Sequence, residues 1–482
     1  MARVTSRNRR LPGDHARLRL PTSLVDSGSH SRRSVEFPRQ FHDDAERLLL
    51  PPLVEPRTML ATHLTHLRVP VWSAVLIVSV ACSPVAWGDE VWPGFNGPRH
   101  NNQSDCRGLP LTWNETDNIT WKTPIHDSGW STPVIWGNQV WVTTATDDGK
   151  QSFALCLDRA TGKVLHDLKL WDNAEPENTR QYNSFASSTP AIEEGRIYVH
   201  FGSYGTACLD TATAQVLWTR RDLPCQHFRG PGSSPLLAGD RLYIHYDGFD
   251  QQYIVALDKH TGKTVWQKKR EVDYGTDNGD VKKAYATPLL FESQGRKMLA
   301  SPTSKACLVL DPETGAELWR VRYAGFSGAA RPLWGDGLLY LNTGFPRGEF
   351  LAVNPDGRGD VTESHIAWQA KKNLPSMPSS ILVNGLLFSV NDEGVATCLD
   401  ARSGSYVWEK RIGGNFSASL LLADGRIYAS DYKGKTTVFA PEREFRLLAE
   451  NQLEGGFRAS PAVAGKALFL RTETHLYRIE QR

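Results

Sequence analysis

Three carboxylates within eight residues form one group of side chains that could do chemistry. Asp273, Asp277 and Asp280 lie in the run D-Y-G-T-D-N-G-D. Carboxylate oxygens suit a hard cation such as Ca²⁺, but the run lacks the spacing of a calcium loop, and a solvated turn explains the same residues. The sequence also has no C-x-x-C or H-x-x-x-H pattern for a transition metal. We therefore predict no catalytic residue and no metal site.

A second group combines aromatic rings with arginine and histidine in segments that precede short apolar runs. Arginine binds carboxylates through paired hydrogen bonds, and aromatic rings fill pockets at a small entropic cost. Gathered at one surface, these side chains would recognise a protein or an anionic small molecule, whereas ordinary loop packing is the alternative. The candidate binding residues are Trp130, Phe185, His227, Arg229, Tyr285, Arg331, Phe416 and Arg458.

A repeated phrase identifies the elements that must position these side chains. The stretch A-L-D-K-H-T-G-K-T-V-W at 256–266 recurs at 208–218, 309–319 and 398–408, and weaker copies begin at 156 and 353. The Asp or Asn of successive copies lies 43 to 53 residues apart. Repeats of this length, built from short apolar segments with Gly and Asn turns, are typical of propeller blades.

A step of two small residues, usually followed by proline, marks the other end of each unit. The step occurs eight times, and each unit contains four predicted strands. The sequence therefore predicts an all-β fold, an eight-bladed β-propeller of four-stranded antiparallel blades. The last unit holds at most three strands, so we expect residues near Ile119 to Ile125 to supply its outer strand and close the ring. The loops before each step then converge on one face near the axis, and they carry the candidate binding residues. The steps begin at Ser131, Ser188, Ser233, Ala286, Ala330, Ser379, Ala418 and Ala459.

Asp, Gly and Trp of the repeated phrase are predicted to hold neighbouring blades together. The Asp carboxylate can accept hydrogen bonds from the turn backbone, Gly permits a positive φ, and Trp on the outer strand can pack on the next blade. The structural residues predicted in this way are Asp210, Trp218, Asp258, Gly262, Trp266, Asp311, Gly315, Trp319, Trp368, Asp400, Gly404 and Trp408.

The A-x-D-x-x-T-G-x-x-x-W phrase resembles the tryptophan-docking motif of the pyrroloquinoline quinone (PQQ) repeat. The run V-W-P-G-F-N-G-P at 91–98 is similar to the opening of secreted PQQ-like propellers of planctomycete type, and the resemblance covers about residues 91–482. It implies a relation to BamB-type envelope propellers and to quinoprotein alcohol dehydrogenases, which bind PQQ beside two adjacent cysteines and a Ca²⁺ ion. This sequence has no adjacent cysteine pair. We therefore expect no cofactor, with PQQ and Ca²⁺ as the alternative.

The charge distribution argues against nucleic-acid binding. Residues 1–58 carry 11 Arg, no Lys and 7 acidic residues, which leaves 44 of the 55 basic and 46 of the 53 acidic residues for the rest of the chain. The propeller therefore lacks the basic excess that nucleic-acid binding requires. The content of 40 Gly, 28 Pro and 15 Trp fits one large β domain.

The N-terminal part of the sequence predicts export. From Met59, a basic segment precedes an apolar run at 69–82 and a small-x-small site at 86–88. We predict a disordered or mis-assigned start at 1–58, a signal peptide at 59–88 and the propeller at 89–482. The apolar run is shorter than the about 20 residues of a membrane helix, so no transmembrane span is expected in the mature chain. A retained anchor or a lipid on Cys82 is the alternative.

These features predict a non-enzymatic scaffold in the periplasm or cell envelope. It would resemble BamB, which helps to assemble outer-membrane proteins, would bind an envelope protein or peptide, and would be a monomer. One alternative is a PQQ-dependent dehydrogenase of alcohols or sugars. A second is a ligand-binding sensor, because similar repeats occur in sensor regions of bacterial serine/threonine kinases.

Overall fold

A computed structural model describes residues 90–177, 179 and 183–481 of the chain. Within these residues, eight sheets follow one another around a ring, each with four antiparallel strands and one with an added two-residue strand. The predicted eight-bladed β-propeller is therefore confirmed. The predicted segments 1–58 and 59–88 lie outside the described residues. No helix in the described part of the chain is long and apolar enough to cross a membrane.

In blades 1 to 7, the four strands follow in chain order from the innermost to the outermost, and in blade 5 the two-residue strand Gly359–Asp360, which pairs with blade 4, lies between the third and the fourth. Blades 1 to 4 consist of Val134–Trp136, Gln139–Ala145, Gln151–Asp158 and Val164–Asp172; Ala191–Glu193, Arg196–His200, Thr206–Asp210 and Val216–Arg220; Leu236–Ala238, Arg241–Asp247, Gln252–Asp258 and Thr264–Lys269; and Leu289–Ser293, Arg296–Pro302, Ala306–Leu310 and Glu317–Arg322. Blades 5 to 7 consist of Leu333–Gly335, Leu338–Asn342, Gly348–Val353 and Ile366–Leu374; Ile381–Val383, Leu386–Val390, Val395–Asp400 and Tyr406–Arg411; and Leu421–Ala423, Arg426–Ser430, Lys435–Phe439 and Leu447–Gln452. A single short helix, Gly279–Lys282, is described and precedes blade 4.

Blade 8 combines strands from the two ends of the described chain. Its inner strands are Ala462–Ala464, Ala467–Arg471 and His475–Glu480, and its outer strand is Ile119–Pro124. This outer strand pairs antiparallel with the last strand of the chain. The prediction that an N-terminal strand closes the ring is therefore confirmed, and closure leaves no open seam between the first and last blades.

The hydrophobic core lies between blades and along their middle strands. Leu386–Val390 is buried at every position, whereas Val216–Arg220, on the outer edge of its blade, alternates between exposed and half-buried residues. Each blade therefore buries its faces against its two neighbours, and the ring is stabilised by stacking of blades rather than by a single central core.

A tryptophan of one blade docks on the turn of the next. In blade 3, the Asp258 carboxylate accepts hydrogen bonds from the backbone N–H and the hydroxyl of Thr261, both at 2.8 Å. Gly262 follows with φ +70°, and the ring of Trp218 from blade 2 lies against its Cα. The Trp218 Nε1–H donates to the Lys259 carbonyl at 2.9 Å. The turn conformation and the glycine thus create the surface on which the indole packs.

The same docking recurs at four other seams and takes a different form at the seam between blades 4 and 5. At each of these four seams, an indole Nε1–H donates a hydrogen bond to a backbone carbonyl of the next blade. The donors and acceptors are Trp121 to Arg159, Trp266 to Pro312, Trp368 to Ala401 and Trp408 to Glu442. Trp319 instead lies beside an extra two-residue strand, Gly359–Asp360, which pairs parallel with the outer strand of blade 4. The insertion in the blade 5 phrase therefore replaces the usual docking turn at that seam.

Residues 92–104 cross the central channel. Trp92 forms a bridge with Ile135 on the inner strand of blade 1, and the Leu422 N–H of blade 7 donates to the Asn102 carbonyl at 2.8 Å. These partners lie on inner strands, after the small-residue step, so the segment crosses on the side of the ring away from the loops that precede each step. The channel is therefore closed from that side.

Candidate functional site

A cavity of about 580 Å³ lies where the loops before the innermost strands converge on the propeller axis. Four of the eight candidate binding residues line it: Trp130, Arg229, Tyr285 and Arg458. Phe95, from the segment that crosses the channel, also contributes to the lining. A cavity of this size and position is the natural place for a ligand in such a fold.

Three other candidates are buried outside this lining. Phe185 packs against Tyr204 and lines a neighbouring cavity of about 250 Å³, which it shares with Trp130. The His227 Nε2 accepts a hydrogen bond from the Ser203 backbone N–H at 2.9 Å, and burial holds its pKa well below the usual value. Phe416 packs in the core between blades 6 and 7. These side chains hold the walls in place rather than presenting a surface to a ligand.

Arg331 does not lie at the mouth, where the sequence analysis placed it. It is 3% exposed, and its guanidinium donates to the Pro288 carbonyl at 2.7 and 3.0 Å and to the Phe95 carbonyl at 2.8 Å. The reason is its position in the small-residue step, which directs the side chain inward at the ring of innermost strands. Arg331 is therefore part of the ring beneath the cavity.

The charges that line the cavity balance. Arg229 forms an ion pair with Asp280, and both line the cavity. Arg458 pairs with Glu473 at 3.2 Å and stacks on Tyr432 at 3.5 Å from the ring centroid. Since Asp392 is the only other charged residue in the lining, two arginines face two carboxylates. The mouth is therefore close to neutral instead of strongly positive.

The Asp392 carboxylate accepts hydrogen bonds from the backbone of the loop that precedes blade 6. It accepts the Met377 N–H at 3.0 Å and the Ser376 N–H at 3.2 Å. Burial raises the pKa of Asp392, and these two hydrogen bonds oppose the shift. A carboxylate held in this way fixes the loop and is poorly placed to act as a free base.

A ring of hydrogen bonds joins the blades around the base of the cavity. Two residues before each innermost strand lies the second position of the step, or in blade 6 its first residue, Ser379. At six of the eight seams, the backbone N–H of this residue donates to the side-chain hydroxyl of the equivalent residue in the next blade, at 2.9 to 3.1 Å. The donors and acceptors in order are Thr132 to Thr189, Thr189 to Ser234, Ser234 to Thr287, Arg331 to Ser379, Ser379 to Ser419 and Ser419 to Ser460. These steps predicted the number of blades, but the role of their hydroxyls was not predicted, although a Ser or Thr at seven of the eight positions was the available signal.

Two arginines occupy the two interruptions of this ring. Between blades 4 and 5, Arg331 stands where the other blades have a hydroxyl, and its guanidinium binds the Pro288 carbonyl. Between blades 8 and 1, the guanidinium of Arg471 donates to the carbonyl and hydroxyl of Ser131 at 3.2 and 2.6 Å. Burial lowers the pKa of both arginines to about 9, so both remain cations at neutral pH.

Aromatic side chains extend the cavity onto the surface. Phe326 and Phe345 line it and pack edge to face, with ring centroids 5.3 Å apart. Phe345 is 54% exposed. A second pair, Phe228 and Phe249, packs at 5.4 Å beside Arg229 and is also exposed. Exposed aromatic pairs beside a cavity are a feature of binding surfaces.

The acidic run 273–280 forms a structural turn. The Asp273 carboxylate accepts the Gly275 N–H at 2.9 Å, and Asp280 pairs with Arg229. Among residues 90–177, 179 and 183–481, no group of three or more His, Cys, Asp or Glu side chains could hold a metal ion. A calcium-bound PQQ would need several oxygen ligands converging on the cation, and the two carboxylates that line this cavity, Asp280 and Asp392, are both held in other contacts.

Together, the tryptophan-docked blades and the axial cavity define the class of protein as a PQQ-repeat β-propeller. A family model described as outer membrane protein assembly factor BamB matches residues 113–290 and 250–482. These two matches cover most of the chain, so the chain belongs to this family.

The individual relatives include both dehydrogenases and BamB. A quinoprotein ethanol dehydrogenase of Pseudomonas putida is 31% identical over 147 residues, which cover 27% of this chain and 22% of the dehydrogenase. This chain thus spans about a fifth of the length of that curated relative. BamB from Moraxella catarrhalis superposes with a TM-score of 0.51 at 15% identity, covering 75% of this chain and 99% of BamB. Quinohemoprotein alcohol dehydrogenase from Comamonas testosteroni gives 0.54 at 12% identity, covering 82% of each chain. At these identities the structural likeness concerns the fold alone.

Proposed function

We propose that this protein is a non-enzymatic β-propeller that binds an extended protein segment in its axial cavity. The observation that carries the proposal is the combination of the cavity with the aromatic pair of half-buried Phe326 and exposed Phe345 at its edge. Rigid aromatic side chains beside a pocket anchor apolar side chains of a partner at a small entropic cost.

The state of the charged groups supports binding over catalysis. Asp280 is paired with Arg229, and Asp392 accepts two backbone hydrogen bonds. A general base or nucleophile needs a partner that activates it and room for a substrate atom beside it. The described lining offers carboxylates that are already engaged in structural contacts. Binding of an extended protein segment requires only contacts with the walls of the cavity.

We further propose that the protein acts in the periplasm or cell envelope. The signal peptide predicted at 59–88 supports export, and the family to which the chain belongs is described as an outer membrane protein assembly factor. A partner in that compartment would be an envelope protein that is not yet folded, because only an extended chain can enter a cavity of about 580 Å³.

Fluorescence anisotropy with defined peptides tests this function. The probe is an N-terminally fluoresceinated peptide, Gly-Ser-Gly-Ser-Leu-Ala-Phe, made with a free carboxyl end and as the C-terminal amide, and a Gly-Ser peptide of equal length serves as blank. We expect at least one aromatic peptide to bind the full-length protein and the double variant Phe326→Ala and Phe345→Ala to bind it at least about tenfold more weakly. The control Leu447→Ala, an equally exposed residue on the outer strand of blade 7, should bind as the parent does.

Two outcomes would contradict the proposal. One is that neither aromatic peptide binds better than the Gly-Ser blank. The other is reduction of an artificial electron acceptor with ethanol after addition of PQQ and Ca²⁺, the activity that the match to the ethanol dehydrogenase suggests.

A further inference from the structure

The base of the axial cavity presents hydroxyl donors that no described protein group uses. Five ring hydroxyls line the cavity, and each accepts a backbone N–H from the preceding blade, which leaves its own O–H free to donate. In the described part of the chain, none of these five hydroxyls donates to another group. They belong to Thr189, Ser234, Thr287, Ser419 and Ser460.

Two buried cations stand on opposite sides of the same ring. Arg331 lies at the start of blade 5 and Arg471 is bonded to Ser131 at the start of blade 1, four blades away. They are 3% and 2% exposed, and neither forms an ion pair with a described carboxylate. Their hydrogen bonds go to neutral carbonyl and hydroxyl oxygens. The base of the cavity therefore has a positive potential that water screens poorly.

We propose that this base binds the C-terminal carboxylate of a peptide whose last side chain is apolar, an inference that rests on the peptide binding proposed above. A carboxylate only accepts hydrogen bonds and has two oxygens with several acceptor directions. It also carries a negative charge, which would compensate the two arginines that have no ion-pair partner. A sugar or another neutral polyol would bring as many donors as acceptors and would leave the positive potential uncompensated.

The aromatic side chains above the ring would contact the apolar last residue of the peptide and the residues that precede it. Tyr285 and Phe326 line the cavity, where they can contact the last side chain of a peptide whose carboxylate lies at the base. Phe345 at the edge, and the exposed pair Phe228 and Phe249 beside Arg229, lie further along the path by which a peptide would leave. A small carboxylic acid would leave these outer rings uncovered, which is why we assign the ligand to a peptide.

The acid and amide forms of the Leu-Ala-Phe peptide test the proposal directly, since they differ only at the end group. We expect the acid to bind the full-length protein at least about tenfold more tightly than the amide. Ser419→Ala and Thr189→Val each remove one donor from the base and should reduce this preference by about threefold or more. Thr189→Ser restores the hydroxyl and should restore the preference.

Ser379→Ala is the matched control. Ser379 accepts the Arg331 N–H at 3.0 Å, the same inter-blade bond as the other ring hydroxyls, but it lies outside the cavity lining. Its loss should therefore lower stability as much as Ser419→Ala does and leave the preference for the acid unchanged. Melting temperatures of all variants separate these two effects.

Each contrary result has a distinct meaning. Equal binding of acid and amide overturns the carboxylate site and leaves peptide binding intact, whereas no binding of either peptide removes the proposed function itself. Competition identifies the source of the carboxylate. If 3-phenylpropionate displaces the labelled peptide at the same concentration as unlabelled peptide does, the site binds a small acid. If PQQ displaces it at a lower concentration, the site binds the cofactor. Either result would overturn the peptide assignment.

Discussion

Replacing Trp121 by alanine tests how the ring is held closed. Trp121 lies on the outer strand of blade 8, is 8% exposed, and donates its Nε1–H to the Arg159 carbonyl of blade 1 at 3.0 Å. Its indole also covers Gly162, in the docking turn of blade 1. The substitution therefore removes a docking contact of the one blade whose outer strand is joined to its inner strands only by strand pairing.

The expected loss follows from the burial of the indole. Truncation of a buried Trp to Ala costs about 3–5 kcal/mol. The lost hydrogen bond adds little, because the Arg159 carbonyl keeps a second donor, the Arg478 Nη1 at 3.0 Å. We expect a free energy of unfolding lower by about 3 kcal/mol. For a domain of about 390 residues, with an unfolding entropy of roughly 0.8 kcal/mol/K, this lowers the melting temperature by about 4 °C.

Calorimetry of the full-length protein is the assay, and Trp266→Ala is its control. Trp266 makes the equivalent contact with Pro312 at 2.9 Å, but it lies on the outer strand of blade 3, whose four strands are consecutive in the chain. We expect Trp121→Ala to lower the melting temperature at least as much as Trp266→Ala, within one cooperative transition. A small early transition with an unchanged main transition would refute the reasoning, since it would mean that the outer strand detaches while the ring stays closed.

Three further predictions concern a docking turn, the pH dependence of stability and the processing of the N-terminus. Gly262→Ala places a Cβ about 2.6 Å from the Trp218 ring at φ +70°, so it should cost about 2–4 kcal/mol in guanidinium unfolding, whereas Gly239→Ala, at φ +56° with no atom nearby, should cost only about 1–2 kcal/mol. Hydrogen bonds from the neighbouring Thr hydroxyl and backbone N–H lower the pKa of Asp258. Its stabilisation is therefore present above the unfolded pKa of about 4 and is lost as the pH falls through the folded value; the stability difference from Asp258→Asn should shrink between about pH 5 and 2, and a constant difference would contradict this. N-terminal sequencing of envelope protein should find a start at or near Asp89, and an intact N-terminus would contradict signal cleavage.

The fold could be predicted because each blade repeats the residues that its geometry requires. Gly262 and its equivalents mark turns that need a positive φ, and Trp218 and its equivalents mark the seams. The chain crossing of the channel could not be predicted. Phe95 and its neighbours carry no periodic pattern, and their contacts with distant inner strands depend on the closed ring.

The candidate site was predicted in part. The loops of Trp130, Tyr285 and Arg458 do converge, because propeller topology brings them to one face. The three arginines do not make the rim of the cavity positive, for two physical reasons. Arg331 occupies an inward position of the ring, and the carboxylates that neutralise the other two arginines, Asp280 and Glu473, come from separate turns whose proximity the sequence does not encode.

The ring hydroxyls connect the binding site to the stability of the fold. Ser419 lines the cavity and accepts a hydrogen bond that joins blade 6 to blade 7, which leaves its own O–H free to donate to a ligand. A ligand held by several such hydroxyls would contact several blades at once and would bind only the closed ring. At a concentration 100 times the dissociation constant, such a ligand should stabilise the protein by about 2.7 kcal/mol and raise the melting temperature by about 3 °C. Saturation with the Leu-Ala-Phe acid peptide should produce this shift in the parent and a smaller one in Ser419→Ala. A saturating peptide that left the melting temperature unchanged would bind folded and unfolded chains alike, and the axial cavity would then not be its site.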